Sequence, residues 1–274
     1  MAKRLIATAL LATLAACGSS GSGTGGGGGH AGGTTGSGGA SSSASSGSTG
    51  GAGGAAVSSS SGATTSGTGG MGTGGAGGDP TAAEILAKLM NCNQVSNGLY
   101  KTDSDSASAT VAICGLNGAV FWQADMDIDG DGKTSAKCNL AADPAYQDQT
   151  SATDSNGDPL DAAALPYVVV PLPSSRFDYQ AAGLTLGSVI AVIYNGQLTY
   201  GVFGDEGPKD IIGEASYALA ESLGIDPDPS FGGTDGPVTY IAFTGASAVV
   251  SPIESHAAAL QVGKARAKQL LQEN

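Results

Sequence analysis

Histidine is close to missing from this chain: 274 residues hold two, His30 and His256. His30 lies among Gly, Ser and Thr, so any Ser-His-Asp or Cys-His scheme would have to use His256. No C-x-x-C occurs among the four cysteines, which with a single histidine after residue 30 excludes a structural zinc site. Acidic residues are absent before Asp79, and hydrophobic periodicity is absent from Gly18 to about Gly78. A Gly/Ser/Thr/Ala segment of that kind cannot build a core, and it is expected to be a disordered tether spanning roughly 40 to 50 Å. Positive charge is scarce too: 11 Lys and Arg face 24 Asp and Glu, for a formal charge of −13. Such a surface repels nucleic acid and anionic lipid and attracts cations.

The few basic residues near the start have a pattern. Lys3 and Arg4 precede an apolar run from Leu5 to Leu14, followed by Leu14-Ala15-Ala16-Cys17. The run is too short to span a bilayer, and small residues before a cysteine resemble a bacterial lipobox. Residues 1–17 are therefore read as a lipoprotein signal peptide with Cys17 as the lipidated residue, 18–78 as the tether and 79–274 as one domain, expected to be a monomer. Membrane contact is expected only through Cys17, with an outer-membrane or surface location, or secretion. Setting Cys17 aside leaves Cys92, Cys114 and Cys138, and thus one disulfide and one free thiol in an oxidising compartment, with the pairing open.

Asp79-Pro80-Thr81 opens a helix over Ala82 to Met90, capped by Asp79 or Thr81. Val111 to Ala124 reads as strand, Asn117-Gly118 turn, strand, and leads into D-M-D-I-D-G-D-G, Asp125 to Gly132, an acidic loop. A polar irregular stretch runs from Ala141 to Ala164. Leu165 to Pro171 is a buried strand, and Ser188 to Tyr200 a hairpin about Asn195-Gly196 whose second strand ends in Asp205. A helix over Glu214 to Leu223 stops at Gly224, and Val238 to Phe243 forms a further strand. Ser251, Pro252 and Glu254 give a capping box for a C-terminal helix that places His256 in its second turn, as a packing or surface residue.

Gly201 to Ser216, G-V-F-G-D-E-G-P-K-D-I-I-G-E-A-S, sets Asp205 and Glu214 where strand gives way to helix. Two such carboxylates suit acid/base cleavage of a glycosidic bond. On the helical reading, Glu214 lies in a first turn, where unpaired amides keep it ionised as the base. Asp205, beside Glu206 and near Asp210, is then the acid, with the reverse assignment open. The alternating Asp125, Asp127, Asp129 and Asp131 have Ala136 where an EF-hand needs a bidentate Glu, so an EF-hand is disfavoured. A different calcium site, subsites for ammonium groups, or a solvated turn all remain. Trp122 and Tyr146 are candidate sugar-stacking residues, although Trp122, on an apolar strand, reads first as core. Arg176 and Lys209 either orient the carboxylates or form surface pairs.

Four pieces together resemble the fungal-type chitosanases of glycoside hydrolase family 75: F-W-Q-A-D-M-D-I-D-G-D-G from Phe121, L-D-A-A-A-L-P-Y-V-V-V-P from Leu160, Y-G-V-F-G-D-E-G-P from Tyr200 and I-I-G-E-A-S from Ile211. They cover roughly Lys101 to Gly245, in order. The resemblance implies an endo-acting chitosanase that cuts β-1,4 bonds with inversion, using the Asp and Glu that match Asp205 and Glu214, with carboxyls roughly 6.5 to 9.5 Å apart. Where the family's acidic loop often has a cysteine, this chain has Gly130. Asp125, Asp127 and Asp129 would then bind the ammonium groups of chitosan, a cationic polysaccharide, and neither metal nor cofactor is expected. The expected fold is mainly β, a compact double-psi-like barrel with a few peripheral helices, or else an α+β sandwich. Rival functions are a murein-directed glycosidase or lytic transglycosylase, and a non-catalytic calcium-binding surface lipoprotein.

Overall fold

A computed structural model describes residues 78–274. The expected signal peptide, Cys17 and all but the last residue of the tether lie outside the described residues. In chain order the elements are α1 (Ala82–Leu86), β1 (Asn93–Gln94), β2 (Cys114–Leu116), β3 (Ala119–Asp129), β4 (Tyr167–Pro171), β5 (Val189–Tyr194), β6 (Gln197–Gly207), β7 (Glu214–Ser216), α2 (Tyr217–Ser222), β8 (Thr234–Phe243) and α3 (His256–Glu273). The strands follow the order β1-β2-β3-β7-β4-β6-β5-β8, and β3 also pairs with β8. That last pairing closes six strands, β3, β7, β4, β6, β5 and β8, into a barrel and excludes the open sandwich.

Alternation along the strands decides what fills the barrel. Trp122, Met126 and Ile128 of β3, Val168 and Val170 of β4, Phe203 of β6, Ala215 of β7 and Tyr240 of β8 belong to one apolar cluster that draws on all six strands. Residues of opposite parity, such as Val169, Ala191, Tyr200 and Val202, pack outward under α1, α3 and the 160–165 segment. α3 lies close on β6 because Gly263 has no side chain: a Cβ there would stand 2.2 Å from the Tyr200 ring.

Local chemistry places several elements as expected. Asn195 and Gly196 have φ of 48° and 77°, the left-handed pair that a two-residue hairpin turn needs, and they join β5 to β6. Thr81 caps α1 in a full capping box with Glu84, although the helix ends at Leu86 rather than Met90. Cys92 and Cys114 form the disulfide, and Cys138 is free and buried.

Two helix starts differ from expectation. α3 is capped by Ser255, four residues after Ser251, and His256 is its first residue. Glu254 instead accepts hydrogen bonds from the backbone and hydroxyl of Ser155, so a partner 99 residues away takes the side chain assigned to a capping box. Similarly, Glu214 is not helical. Residues 214–216 form β7, and the helix begins at Tyr217 with Ser216 as its cap.

Candidate active site

The acidic stretch from Asp125 is strand rather than loop as far as Asp129. Its even-numbered residues point into the barrel, so Asp125, Asp127 and Asp129 project from the outer face of β3. β7 lies beside it in parallel register, Asp127 opposite Glu214, and the Asp127 amide donates to Gly213 O at 2.8 Å. Gly213 has φ of 123°, and a Cβ there would stand 2.4 Å from Asp125 Oδ1. Only glycine allows this approach of β7 to the aspartates.

Asp205 reaches the same wall through a bulge. β4 pairs with β6 in register up to Val168 and Phe203, then slips so that Val169 faces Asp205. The extra residue is Gly204, where a Cβ would stand 2.6 Å from Tyr167 Cβ. Phe203 thus stays inside while Asp205 turns outward, a bulge re-aiming a side chain. Asp205, Glu214 and the β3 aspartates occupy the outer wall formed by β3, β7, β4 and β6. Oxygens of Asp129, Asp131 and Asp205 lie within 4.8 Å of one another, as do those of Asp103, Asp125 and Asp127. Each group can hold a hard cation or an ammonium group.

Proton affinities follow from these surroundings. Glu214 is partly open to solvent, yet burial of its carboxyl, followed by the charges of Asp127, Asp131, Asp205 and Asp125, pushes its pKa up to about 8. Among the described residues none donates it a hydrogen bond. Asp205 is 8% exposed, and burial raises its pKa also. Hydrogen bonds oppose the rise: its Oδ1 accepts from Ser151 Oγ at 2.7 Å, Ser151 N at 2.8 Å and Glu206 N at 2.8 Å. Burial first, then Asp131 and Asp205, holds the Asp129 carboxyl well above the usual range. Asp131 rises to about 7, chiefly by burial, while the Gln147 amide donates to its Oδ1 at 2.6 Å.

Of the two aromatic candidates, one is corrected. Trp122 is 1% exposed and stacks on Tyr240 inside the barrel at 5.3 Å, so it offers no face to a sugar. Its parity is opposite to that of the outward aspartates, as a bulky apolar neighbour of Ala124 and Met126 requires. Tyr146 is partly exposed, donates to Gly132 O at 2.6 Å, and borders a recess of about 670 Å³ with Leu140, Gln147 and Gln149. Arg176 stacks over Tyr100 at 5.0 Å and donates to Lys209 O, so its guanidinium links the Tyr100 segment to the loop between β6 and β7.

Two residues of the site escaped the candidate residues drawn from the motifs. Asp103 and Ser151 come from irregular polar segments with no signature, and only the fold brings them here.

Residues 126–270 match the family described as "Fungal chitosanase of glycosyl hydrolase group 75". The chain is 33% identical to Endo-chitosanase B of Aspergillus oryzae over 179 residues, covering 59% of this chain and 75% of that protein. It is 33% identical to Endo-chitosanase of Aspergillus fumigatus over 172 residues, covering 58% and 72%. With Endo-chitosanase C of Aspergillus oryzae it shares 32% over 179 residues, which is 62% of this chain and 44% of that protein.

Proposed function

Because the chain belongs to the fungal chitosanases of glycosyl hydrolase group 75, and is thereby a glycoside hydrolase, we propose that it cleaves β-1,4 bonds within chitosan by direct displacement with inversion. Glu214 gives its proton to the leaving oxygen, and Asp205 takes a proton from the attacking water. One observation carries this assignment: Asp205 Oδ1 receives three hydrogen bonds, whereas Glu214 receives none among the described residues and its carboxyl is buried among four aspartate charges. Donors to a carboxylate favour the ionised form that a base must have; like charges favour the protonated form that an acid must have. The helix-terminus argument for Glu214 as base is lost with its placement on β7, and the roles are reversed accordingly.

Asp129 and Asp131, which are partly exposed, supply carboxylates to which protonated glucosamine units bind, while Asp125 and Asp127 are buried rather than open to the sugar as expected, and N-acetylated units carry no charge to match. Tyr146 and its recess offer a place for a further sugar. The domain, residues 79–274, works outside the cytoplasm, held by the tether and a lipid on Cys17 or released.

Reducing-end release from chitosan, with murein in parallel, tests the reading on wild type, Asp205→Asn and Glu214→Gln. Activity on chitosan alone, lost in both variants with folding intact, is the expected outcome. The α anomer as first product by proton NMR supports inversion; the β anomer excludes it.

A further inference from the structure

Among the residues around Asp205, Ser151 stands out for the number of contacts it directs at one atom. Both its N–H, at 2.8 Å, and its hydroxyl, at 2.7 Å, donate to Oδ1 of Asp205. The Ser151 Oγ in turn accepts from Glu206 N at 3.2 Å, and the same Glu206 N–H reaches Asp205 Oδ1 at 2.8 Å. Ser151 Oγ, Asp205 Oδ1 and Glu206 N thus form a closed triangle. Oδ1 is saturated, and among the described residues nothing donates to Oδ2.

The segment that carries Ser151 is itself fixed. Ala152 N donates to Gly204 O at 3.0 Å, tying the segment to the bulge that turns Asp205 outward. Thr150 Oγ donates to Ala152 O at 2.6 Å and accepts from Leu160 N at 2.9 Å. Thr150 is buried while Ser151 is exposed, so the backbone is held from below and the serine is presented toward solvent beside Asp205.

We infer that Ser151 is a positioning residue for hydrolysis: by holding Oδ1 with two donors, it fixes the Asp205 carboxylate so that Oδ2 alone faces the attacking water. This rests on the reading of Asp205 as the base. A carboxylate free to rotate would divide its time between oxygens and lose alignment with the water, and small misalignments at the reacting atoms cost up to about a hundredfold in rate. The hydroxyl acts through Asp205 and the Glu206 amide that shares its Oδ1, so its removal affects turnover rather than substrate capture.

The test uses Ser151→Ala, Ser151→Gly and Ser151→Thr in the full chain, with soluble chitooligosaccharides as substrate and thermal unfolding as a control. Ser151→Ala and Ser151→Gly should lower kcat by about ten- to a hundredfold with KM within about twofold, and Ser151→Thr, which keeps the hydroxyl, should restore most of the rate. In single-turnover experiments on an Asp205→Asn background, Ser151→Ala should produce no further loss. Unchanged kcat in Ser151→Ala, a threonine variant as slow as the alanine one, or a full additional loss on the Asp205→Asn background would overturn the inference. Full activity of Asp205→Asn by itself would instead sink the assignment of the base, so the two failures are distinguishable.

Discussion

Asp205 and Glu214 stand on the same outer wall, on strands separated only by β4, yet the protein treats their charges differently. Asp205 lies where β6 meets an irregular segment, and the free amide and hydroxyl groups of that segment turn toward it. Glu214 lies inside a parallel pairing with β3, whose amides are already used by the sheet and whose side chains are carboxylates. A strand bordered by loop supplies donors; a strand flanked by a row of acids supplies like charge. Burial raises the proton affinity of both, and the neighbours of each strand then separate them: donors oppose the rise at Asp205, and like charge adds to it at Glu214.

Neutralising either carboxyl breaks the comparison outright, and it carries the largest expected effect. Asp205→Asn and Glu214→Gln should each lower kcat/KM by about three orders of magnitude or more, read as reducing-end release. The pH profile separates them next. If Glu214 is the proton donor, with its pKa pushed up to about 8, kcat at saturating chitooligosaccharide should fall about tenfold per unit as pH rises past the donor's pKa, and Glu214→Gln should lack that limb. A smaller effect comes from the space around Glu214. A Cβ on Gly207 would stand 3.0 Å from Glu214 Oε2 and 2.9 Å from Val169 Cγ1, so Gly207→Ala should displace the carboxyl and cost about tenfold in kcat.

Stability gives the smallest signal. The folded protein binds the Glu214 proton more tightly than the unfolded chain does, since burial and the surrounding aspartates lift its pKa from 4.5 to about 8. The associated stability is full below the unfolded value and is lost as pH rises through the folded one. Glu214→Gln removes that loss. Its unfolding midpoint should exceed that of wild type by about a few degrees at pH 8 and match it at pH 4.

Short-range chemistry made much of this molecule legible in advance. The Asn195-Gly196 hairpin, the Thr81 cap and the buried strand at Val168 depend on neighbours within a few residues, and each is found where the sequence pointed. The alternating aspartates were recognisable too, although their spacing alone did not say that β3 continues through them. Glu214 was misread because A-S-Y-A-L-A carries a true helix start two residues on; its strand partner, Asp127, is 87 positions away in the chain. The capping-box reading of Ser251 failed for the same reason, since Glu254 is taken by distant Ser155. Ser151 shows the limit most clearly: its importance lies in a contact 54 residues away, and an irregular polar segment has no period to reveal it.

The account depends above all on Glu214 being the proton donor and Asp205 the base. A chitooligoside with a dinitrophenyl leaving group, which departs without protonation, tests this directly when given to Glu214→Gln and Asp205→Asn. The account predicts that Glu214→Gln recovers turnover on this substrate to within about tenfold of wild type while Asp205→Asn stays inactive. Recovery in Asp205→Asn, with Glu214→Gln still inactive, would contradict it.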